Sequence, residues 1–287
     1  VKRSVCVVLH SIFDAKKLLH RGFGLVRAKL SLSTLESGLY DVSLANYFEA
    51  LKISDEKKLV HEGMRSKLGI AWNYYRLRQF DLATQFVDEA LEMAGDNSWP
   101  AEISIGHNLL GLIAKATRAY PDALENFNKA LAIRRENSDK IGEAATLGNI
   151  GEVLEAQGKL KEALDIQHQS LELEQNAQHQ SGLAWVYRDL GSIHSKLGDF
   201  RQAEYYLDKG INLSKSIGLG IVLTEAMSKK REILRMRGLT QEALTYSVRL
   251  EATKDSVQNA ILTSRITALQ GNYEIEKRDR EIQNSHS

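Results

Sequence analysis

Proline, cysteine, net charge and long apolar runs are all scarce in this sequence, and each scarcity excludes a class of protein. Only two prolines occur in 287 residues, and proline is the residue that most strongly interrupts a helix. The lone cysteine, Cys6, excludes an internal disulfide and a cysteine-based metal site. No run of about 18 apolar residues is present, so the sequence predicts no transmembrane helix.

The charge balance excludes a further class of partner. The chain has 38 basic and 37 acidic residues, which leaves a net charge of +1. Because the two signs are interleaved, no basic face for nucleic acid is predicted, and nucleic acid is not an expected partner. Leucine, alanine, glutamate, lysine and glutamine are abundant, and these residues lose little side-chain freedom in a helix. The composition therefore predicts an all-α protein.

What the sequence does contain is a repeat of 40 residues. One alanine column runs through five copies, at Ala83, Ala123, Ala163, Ala203 and Ala243. A second column of small residues follows seven positions later, at Ala50, Ala90, Ala130, Ser170 and Gly210. Small residues in register are typical of positions at which two helices cross closely, so each copy predicts a helical hairpin.

Each copy is predicted to form two amphipathic helices joined by a tight turn. In the copy over 141–177, Leu147, Ile150 and Leu154 recur at helical spacing, and the pattern resumes after Gly158. Glycine just past a helix favours a left-handed cap conformation. Neither helix can bury its apolar face alone, so we expect neighbouring hairpins to stack into a solenoid.

The columns resemble the tetratricopeptide repeat, which has Leu-Gly and an aromatic residue followed by alanine, phenylalanine and alanine. The best copy contains Leu110, Gly111, Tyr120, Ala123, Phe127 and Ala130. The resemblance covers about 24–255 and implies a superhelical solenoid of helical hairpins with a C-terminal extended helix. Its period of 40 rather than 34 implies long helices. The lack of proline between copies predicts that hairpins join by continuous helix or by short polar turns such as 95–100.

The ends of the pattern divide the chain into three predicted segments. Residues 1–23 are predicted to form an N-terminal capping helix, 24–255 about six repeats, and 256–287 a C-terminal exit helix. In the exit helix, apolar residues alternate in spacings of four and three, which predicts a short coiled-coil seam. The seam residues are Leu262, Ile266, Leu269 and Tyr273. Such a seam predicts a homodimer through the C-terminal helix.

The exit helix resembles that of bacterial signalling proteins with tetratricopeptide input regions. The matching residues are Lys254, Asp255, Ser256, Leu269, Gln270, Tyr273, Glu274, Glu276, Lys277, Glu281 and Ile282. The resemblance implies a sensory input region, followed in the full-length protein by a histidine kinase, diguanylate cyclase or adenylate cyclase. It implies a bacterial protein on the cytoplasmic or periplasmic side of a membrane-bound signalling protein.

No converging set of catalytic or metal-binding residues emerges from the sequence. The phosphate-binding pattern G-x-x-x-x-G-K-[ST], the dinucleotide pattern G-x-G-x-x-G and the metalloprotease pattern H-E-x-x-H are all missing. His107 and His168 fall on different helices of different copies, and the pair Gly218 and Gly220 falls at a turn between copies. We therefore expect a non-catalytic chain without a metal or other cofactor.

First helices of tetratricopeptide arrays line a concave groove in which peptides bind, and the resemblance carries that role to specific positions. They are Arg65, Leu68, Trp72, Tyr75, Asn108, Leu112, Lys115, Asn149, Glu152, Trp185, Arg188, Asp189, Lys229 and Arg235, with Glu155, Ser192, Glu225, Ser228 and Glu232 beside them. The amides of Asn108 and Asn149 can pair with a peptide backbone, and Trp72 can anchor an apolar side chain. The expected partner is a peptide or protein, with no direct membrane insertion by this chain.

Three functions stay open at this stage. The first is a non-catalytic peptide- or protein-binding module that acts as the input region of a bacterial signal-transduction protein. The second is a stand-alone scaffold or adaptor for complex assembly, in which the exit helix is only a cap. The third is a peptide-responsive regulator that binds a response regulator.

Overall fold

A computed structural model describes residues 40–94 and 99–285, with side chains described as far as residue 271. These ranges contain eleven α-helices and no strand, which confirms the expected all-α class. The predicted capping helix over 1–23, the residue Cys6 and the first helix of the first repeat lie outside the described residues. Most of the turn expected at 95–100 does so too.

The helices alternate as second and first helices of successive hairpins. They are α1 Tyr40–Glu56, α2 Val60–Arg76, α3 Phe80–Ala94, α4 Pro100–Ala116, α5 Tyr120–Glu136, α6 Lys140–Ala156, α7 Leu160–Asn176, α8 Gln180–Lys196, α9 Phe200–Ile217, α10 Gly220–Met236 and α11 Thr240–Ser285. First helices are α2, α4, α6, α8 and α10, and each has 17 residues. The expected repeat arrangement of helical hairpins is confirmed.

Short turns, rather than continuous helix, join the described hairpins, and their backbone geometry recurs every 20 residues. After first helices, Gly158 and Gly198 have φ of +77° and +81°, and Arg118 has +64° in the equivalent turn. After second helices, Gln178 and Gly218 have φ of +52° and +76°. The predicted left-handed cap at Gly158 is therefore confirmed. Glycine meets this geometry without strain, whereas Arg118 and Gln178 do so at a cost.

Within a hairpin, the two helices cross where a glycine faces a large side chain. A Cβ atom on Gly111 would lie 2.6 Å from the Phe127 ring, and one on Gly191 would lie 2.5 Å from Cγ of Leu207. Both large side chains are fully buried. The columns of small residues in the sequence are therefore positions of close helix packing.

The hairpin of α6 and α7 has a polar side chain at this crossing. Gln167 takes the place that Phe127 and Leu207 have in the neighbouring hairpins, and it is fully buried. Its Nε2 donates to the carbonyl oxygen of Gly148 at 3.0 Å. Its Oε1 has no hydrogen-bond partner in the part of the chain that the structure describes. This crossing is thus less well satisfied than its two neighbours.

The chain divides into two compact units. The first unit comprises residues 1–102 and 259–287, and the second comprises 103–258. In the first unit α2 packs against both α1 and α3, and Arg265 Nη2 of α11 donates to Asp41 Oδ2 of α1 at 2.5 Å. In the second unit, the crossing of α9 and α10 has an apolar core that consists of Ala203, Leu207, Ala226 and Ile233.

Helix α11 is continuous over 46 residues, so the second helix of the last repeat runs directly into the exit helix. Lys254 of α11 is exposed, although the corresponding residues of all earlier second helices are buried: Ser54, Ala94, Arg134, Glu174 and Ser214. A charged residue at this position is typical of a terminal repeat. The segment boundary at 255 stays a prediction. None of the helices in the described ranges has the length and apolar content needed to span a bilayer.

Candidate functional site

A cavity of about 570 Å³ opens along the first helices α4, α6, α8 and α10 of the second unit. Its lining consists of Lys115, Tyr120, Glu152, Glu155, Ala156, Arg188, Asp189, Lys196, Glu225, Ser228, Lys229 and Glu232. Nine of these twelve residues are charged. The cavity is therefore a site for polar recognition rather than an apolar pocket.

A ladder of alternating charges crosses the four helices, and we call Lys115, Glu152, Arg188 and Glu225 the ion-pair ladder. Glu152 of α6 contacts Lys115 of α4 on one side and Arg188 of α8 on the other. Arg188 Nη1 in turn donates to Glu225 Oε2 of α10 at 2.5 Å. Each contact joins residues 36 or 37 positions apart in the sequence. This spacing is about one helical turn less than the 40-residue period.

Arg188 is the centre of the ladder because three carboxylates converge on it. Its Nε donates to Asp189 Oδ1 at 2.7 Å, and its Nη2 contacts both Asp189 and Glu152. Its guanidinium carbon lies 4.5 Å from the centroid of the Trp185 ring, a cation–π contact. Only 6% of Arg188 is exposed. The guanidinium is therefore fixed in position before any ligand arrives.

Burial and neighbouring charges shift the acid–base behaviour of this cluster. Burial raises the pKa of Asp189 to about 7; the adjacent Arg188 opposes this shift, and Glu152 and Glu155 add to it. Burial also acts to raise the pKa of Glu152, but the cations of Lys115 and Arg188 outweigh it and hold that pKa below its usual value. Burial acts to lower the pKa of Arg188, and the surrounding carboxylates outweigh this and raise it. At neutral pH, Glu152 and Arg188 are charged and Asp189 is partly protonated.

A second row of polar contacts runs beside the ladder. Lys229 Nζ donates to Ser192 Oγ at 2.6 Å, and Ser192 Oγ donates to Glu155 Oε1 at 2.6 Å. Lys196 Nζ lies 3.1 Å from the same oxygen of Glu155. Among the described residues, no carboxylate oxygen lies within 4 Å of Lys229 Nζ. The ammonium of Lys229 is therefore the cation in this row whose charge is not paired.

Many of the predicted groove residues of the second unit lie at this cavity. Lys115, Glu152, Arg188, Asp189 and Lys229 line it, as do the flanking residues Glu155, Glu225, Ser228 and Glu232. Sequence reasoning missed Lys196 and Tyr120. The signal that could have found Lys196 is an opposite charge, Glu155, at a spacing of 41 residues on the preceding first helix.

The other predicted groove residues of the second unit have different surroundings. Asn149 Nδ2 of α6 donates to Asn108 Oδ1 of α4 at 3.0 Å, so the two amides are paired with each other. Leu112 is 6% exposed and belongs to the core. Trp185 packs on Arg188, and Arg235 is exposed on α10 without lining the cavity. The binding role of each of these residues stays a prediction.

Four predicted groove residues lie on α2 of the first unit. Arg65 is exposed, and its Nε lies 3.7 Å from Glu102 Oε1. Leu68 is 5% exposed and is part of the core. The rings of Trp72 and Tyr75 are half-buried and lie 5.5 Å apart between centroids. Their role in binding is likewise still a prediction.

The predicted seam lies on the distal part of α11. Leu262, Ile266 and Leu269 are 52%, 51% and 50% exposed, whereas the side chain of Tyr273 lies outside the described residues. In the described part of the chain, no group of three or more histidine, cysteine or acidic side chains is arranged to hold a metal ion.

Comparisons with known proteins identify the repeats. A profile of the tetratricopeptide repeat family matches residues 102–175 and 142–216, a region that includes Lys115, Glu152 and Arg188 of the ladder. No curated protein sequence matches the chain at a significant level.

Solved structures share the fold at low sequence identity. A Rap protein complexed with competence and sporulation factor has a TM-score of 0.73 at 16% identity, over 90% of this chain and 72% of that chain. The Rap conjugation gene regulator of plasmid pLS20, in complex with the Phr* peptide, has 0.73 at 17% identity, over 90% and 71%. PilW, a type IV pilus biogenesis factor, has 0.56 at 20% identity, over 81% and 94%.

Proteins with such different descriptions show that the shared feature is the fold. This fold suggests a role in protein–protein interaction. The family's repeats are matched over residues 102–216 and the same hairpins continue outside them, so the chain is a tetratricopeptide-repeat protein.

Proposed function

We propose that this chain is a non-catalytic peptide- or protein-binding module that acts as the regulatory input region of a bacterial signal-transduction protein. The observation that carries the binding part is the charged cavity along four first helices. Its volume of about 570 Å³ falls within the range of about 300–1,000 Å³ that is usual for ligand sites. Buried ion pairs stabilise a fold less than apolar packing of similar volume does, so a ladder of them favours a role in recognition.

The cavity suits an extended segment of polypeptide. Packed helices lie about 8–10 Å apart, and an extended chain advances about 3.3 Å per residue, so a segment of about eight residues crosses from α4 to α10. The charges of the ladder offer partners to its side chains. The amides of Asn108 and Asn149, which are bonded to each other through one donor and one acceptor, retain further capacity for its backbone.

The link between α10 and α11 supports the regulatory part of the proposal. Lys229 and Glu225 belong to α10, and the first residue of that helix, Gly220, packs against Val257 of α11. A Cβ atom on Gly220 would lie 2.8 Å from Val257 Cγ1. Because the contact is tight and α11 is a continuous helix, a shift of α10 on ligand binding displaces α11 along its whole length.

Self-association through α11 is part of the same proposal. Leu262, Ile266 and Leu269 leave about half of each side chain exposed, while Ile261 and Ala268 are half-buried on another face of the helix. A second copy of the chain is the partner that the seam spacing favours. Sedimentation across a concentration series tests this, with Ile266→Glu as the disrupting variant and Thr263→Glu as its exposed control. Deletion of 262–287 should abolish any dimer, and an intact chain that stays monomeric contradicts this part.

Peptide selection tests the binding part. Random octapeptides displayed on phage are selected on the full chain, and dissociation constants of enriched peptides are measured by fluorescence anisotropy. Ser228→Trp fills the cavity without removing a charge, and we expect it to weaken binding at least about tenfold. Ser216→Trp, on the exposed side of α9, is the control and should bind as the parent does. No enriched peptide, or equal effects of the two variants, contradicts the proposal.

A second candidate is favoured by the two Rap structures, which are complexes with peptides. In this reading the chain is a peptide-responsive regulator that binds a response regulator. Co-purification with a purified receiver domain, with and without a selected peptide, separates the candidates. Capture that the peptide reverses favours this second reading, whereas no capture leaves the input-region reading.

A further inference from the structure

One carboxylate of the ion-pair ladder is unlike the others. Glu225 is the terminal acid of the ladder and 45% of its side chain is exposed, compared with 24% for Glu152 and 8% for Asp189. It accepts from the outward-facing Nη1 of Arg188 at 2.5 Å. The other donors of Arg188 face Asp189 and Glu152. Glu225 is therefore the acid that can leave Arg188 for solvent at the lowest desolvation cost.

Lys229 lies beside this contact with unused capacity. It follows Glu225 by one turn of α10 and reaches Ser192, which follows Arg188 by one turn of α8. An ammonium has three donors, and a single hydrogen bond, to Ser192 Oγ, is found for Lys229 among the described residues. With no carboxylate within 4 Å of its nitrogen in that part of the chain, the cation can accept an anion.

We propose that Arg188 and Lys229 together form a carboxylate subsite, and that Glu225 is an internal carboxylate which a ligand carboxylate displaces. This inference deepens the proposed function and rests on it, because the carboxylate belongs to the bound peptide or protein segment. The exchange leaves the charge around Arg188 unchanged. The ligand then gains a charge-assisted hydrogen bond from Lys229 that Glu225 does not make.

The surroundings select a carboxylate over a phosphate. Asp189 and Glu152 already contact the guanidinium of Arg188, and Glu155 lies within one bridging hydroxyl of Lys229. A phosphate dianion adds a second negative charge beside these acids, whereas a carboxylate replaces one negative charge by another. The subsite is thus matched to a singly charged, planar anion.

Three small probes distinguish the source of the carboxylate. N-acetyl-L-glutamine presents a chain-terminal carboxylate, the α-amide of N-acetyl-L-glutamic acid presents a side-chain carboxylate, and N-acetyl-L-glutamine amide presents none. Each is titrated into the full-length chain while the Nε–H signal of Arg188 is followed by NMR, at constant ionic strength. We expect saturable shifts from one or both acids and none from the amide. The tighter of the two acids identifies a C-terminal or an internal acidic residue as the occupant.

Two matched pairs of variants test the exchange. Glu225→Gln removes the internal competitor and should strengthen carboxylate binding about tenfold, the worth of one hydrogen bond to a charged group. Glu232→Gln removes the same charge from the cavity lining and should change binding less than about twofold. Lys229→Gln should weaken binding about tenfold, and Lys215→Gln, exposed on α9, should leave it unchanged. Circular dichroism melting verifies that each variant is folded.

Equal effects of Glu225→Gln and Glu232→Gln would overturn the inference, since the gain would then be a general effect of charge. An unchanged affinity in Lys229→Gln, or a shift with the neutral amide equal to that with the acids, overturns it as well. These failures are separable from failure of the proposed function. If octapeptides bind and Ser228→Trp blocks them while the probes do nothing, the carboxylate subsite alone is wrong. If the probes behave as expected but no octapeptide binds, the peptide-binding function is wrong.

Discussion

The crossings inside the hairpins and the cavity on the first helices are built from opposite materials. At a crossing, a glycine such as Gly111 faces a fully buried ring, Phe127, and the contact is apolar and close. At the cavity, Arg188 is almost as deeply buried but is surrounded by carboxylates from three helices. The first arrangement is repeated from hairpin to hairpin, and the second occurs once, across hairpins.

This difference separates stability from recognition. Apolar crossings contribute to folding in proportion to the area they bury, so their repetition explains how the hairpins stand as a stack. The ion-pair ladder removes charges from water and recovers that cost only while every partner is present. Changes to the two regions should therefore have different signatures.

The largest effect should come from breaking the ladder at its centre. Arg188→Met leaves Asp189 and Glu152 buried without their cation, and we expect a loss of about 3–5 kcal/mol in the free energy of unfolding. Urea denaturation measures it, with Arg201→Met on the exposed side of α9 as a control within about 0.5 kcal/mol of the parent. The triple change Arg188→Met, Asp189→Asn and Glu152→Gln should recover most of the loss. A triple variant as unstable as the single one would refute the charge argument.

The next effect is a dependence on pH that the apolar crossings lack. Because the folded-state pKa of Asp189 is raised to about 7, the native protein binds more protons than the unfolded chain in this range. Stability from this group is present below its unfolded pKa of about 4 and is lost as the pH rises towards about 7. Above pH 7, Asp189→Asn should be more stable than the parent by up to about 3 kcal/mol, and near pH 4 the two should be alike.

Denaturation midpoints for both proteins between pH 4 and pH 8 check this expectation. Thr146→Ala, which changes a buried polar residue on α6 away from the cavity lining, should keep the pH dependence of the parent. A parent that becomes more stable relative to Asp189→Asn as the pH rises would contradict the sign.

A smaller effect distinguishes the glycines of the crossings from other helical glycines. Gly111→Ala places a methyl 2.6 Å from the Phe127 ring and should cost about 1–3 kcal/mol. The nearest atom to a methyl on Gly148 is Ser170 Oγ at 3.9 Å, so Gly148→Ala should stabilise by about 0.5–1 kcal/mol. Thermal unfolding followed by circular dichroism measures both. Changes of the same sign would show that backbone entropy, rather than crossing distance, governs these positions.

The smallest effect concerns the turns, which have one backbone geometry but different residues. Arg118→Gly should stabilise by about 0.5–1 kcal/mol, because glycine adopts the left-handed φ of +64° without strain. Gly198→Ala at φ +81° should destabilise by about 1 kcal/mol. Chemical denaturation resolves the pair, and an Arg118→Gly variant less stable than the parent would contradict the strain argument.

The crossings were predictable from the sequence because they repeat. Gly111 and Gly191 stand in one 40-residue column, and so do Phe127 and Leu207, so each copy supports the interpretation of the others. Gln167 breaks its column, and the sequence alone does not show whether it is buried. The left-handed turn at Arg118 was missed because its neighbours have glycine there, and arginine is not a residue that signals this conformation.

The ladder was only partly predictable. The position of Arg188 on a first helix placed it in the expected groove, but its partners Glu152 and Glu225 are 36 and 37 residues away. This spacing depends on the stagger between neighbouring first helices, and packing sets that stagger. The same limit explains Leu68 and Leu112, which share the expected groove column but are buried in the core.

The claim that the cavity of the second unit is the binding site is tested most directly by hydrogen–deuterium exchange of the full chain, with and without a selected octapeptide. Bound peptide should slow local opening of the helices that it contacts. We expect slower exchange in peptic fragments from α6, α8 and α10, and unchanged exchange in α9 and in α11 beyond residue 262. Slower exchange confined to α2 or to α11 would place the site elsewhere and contradict the account.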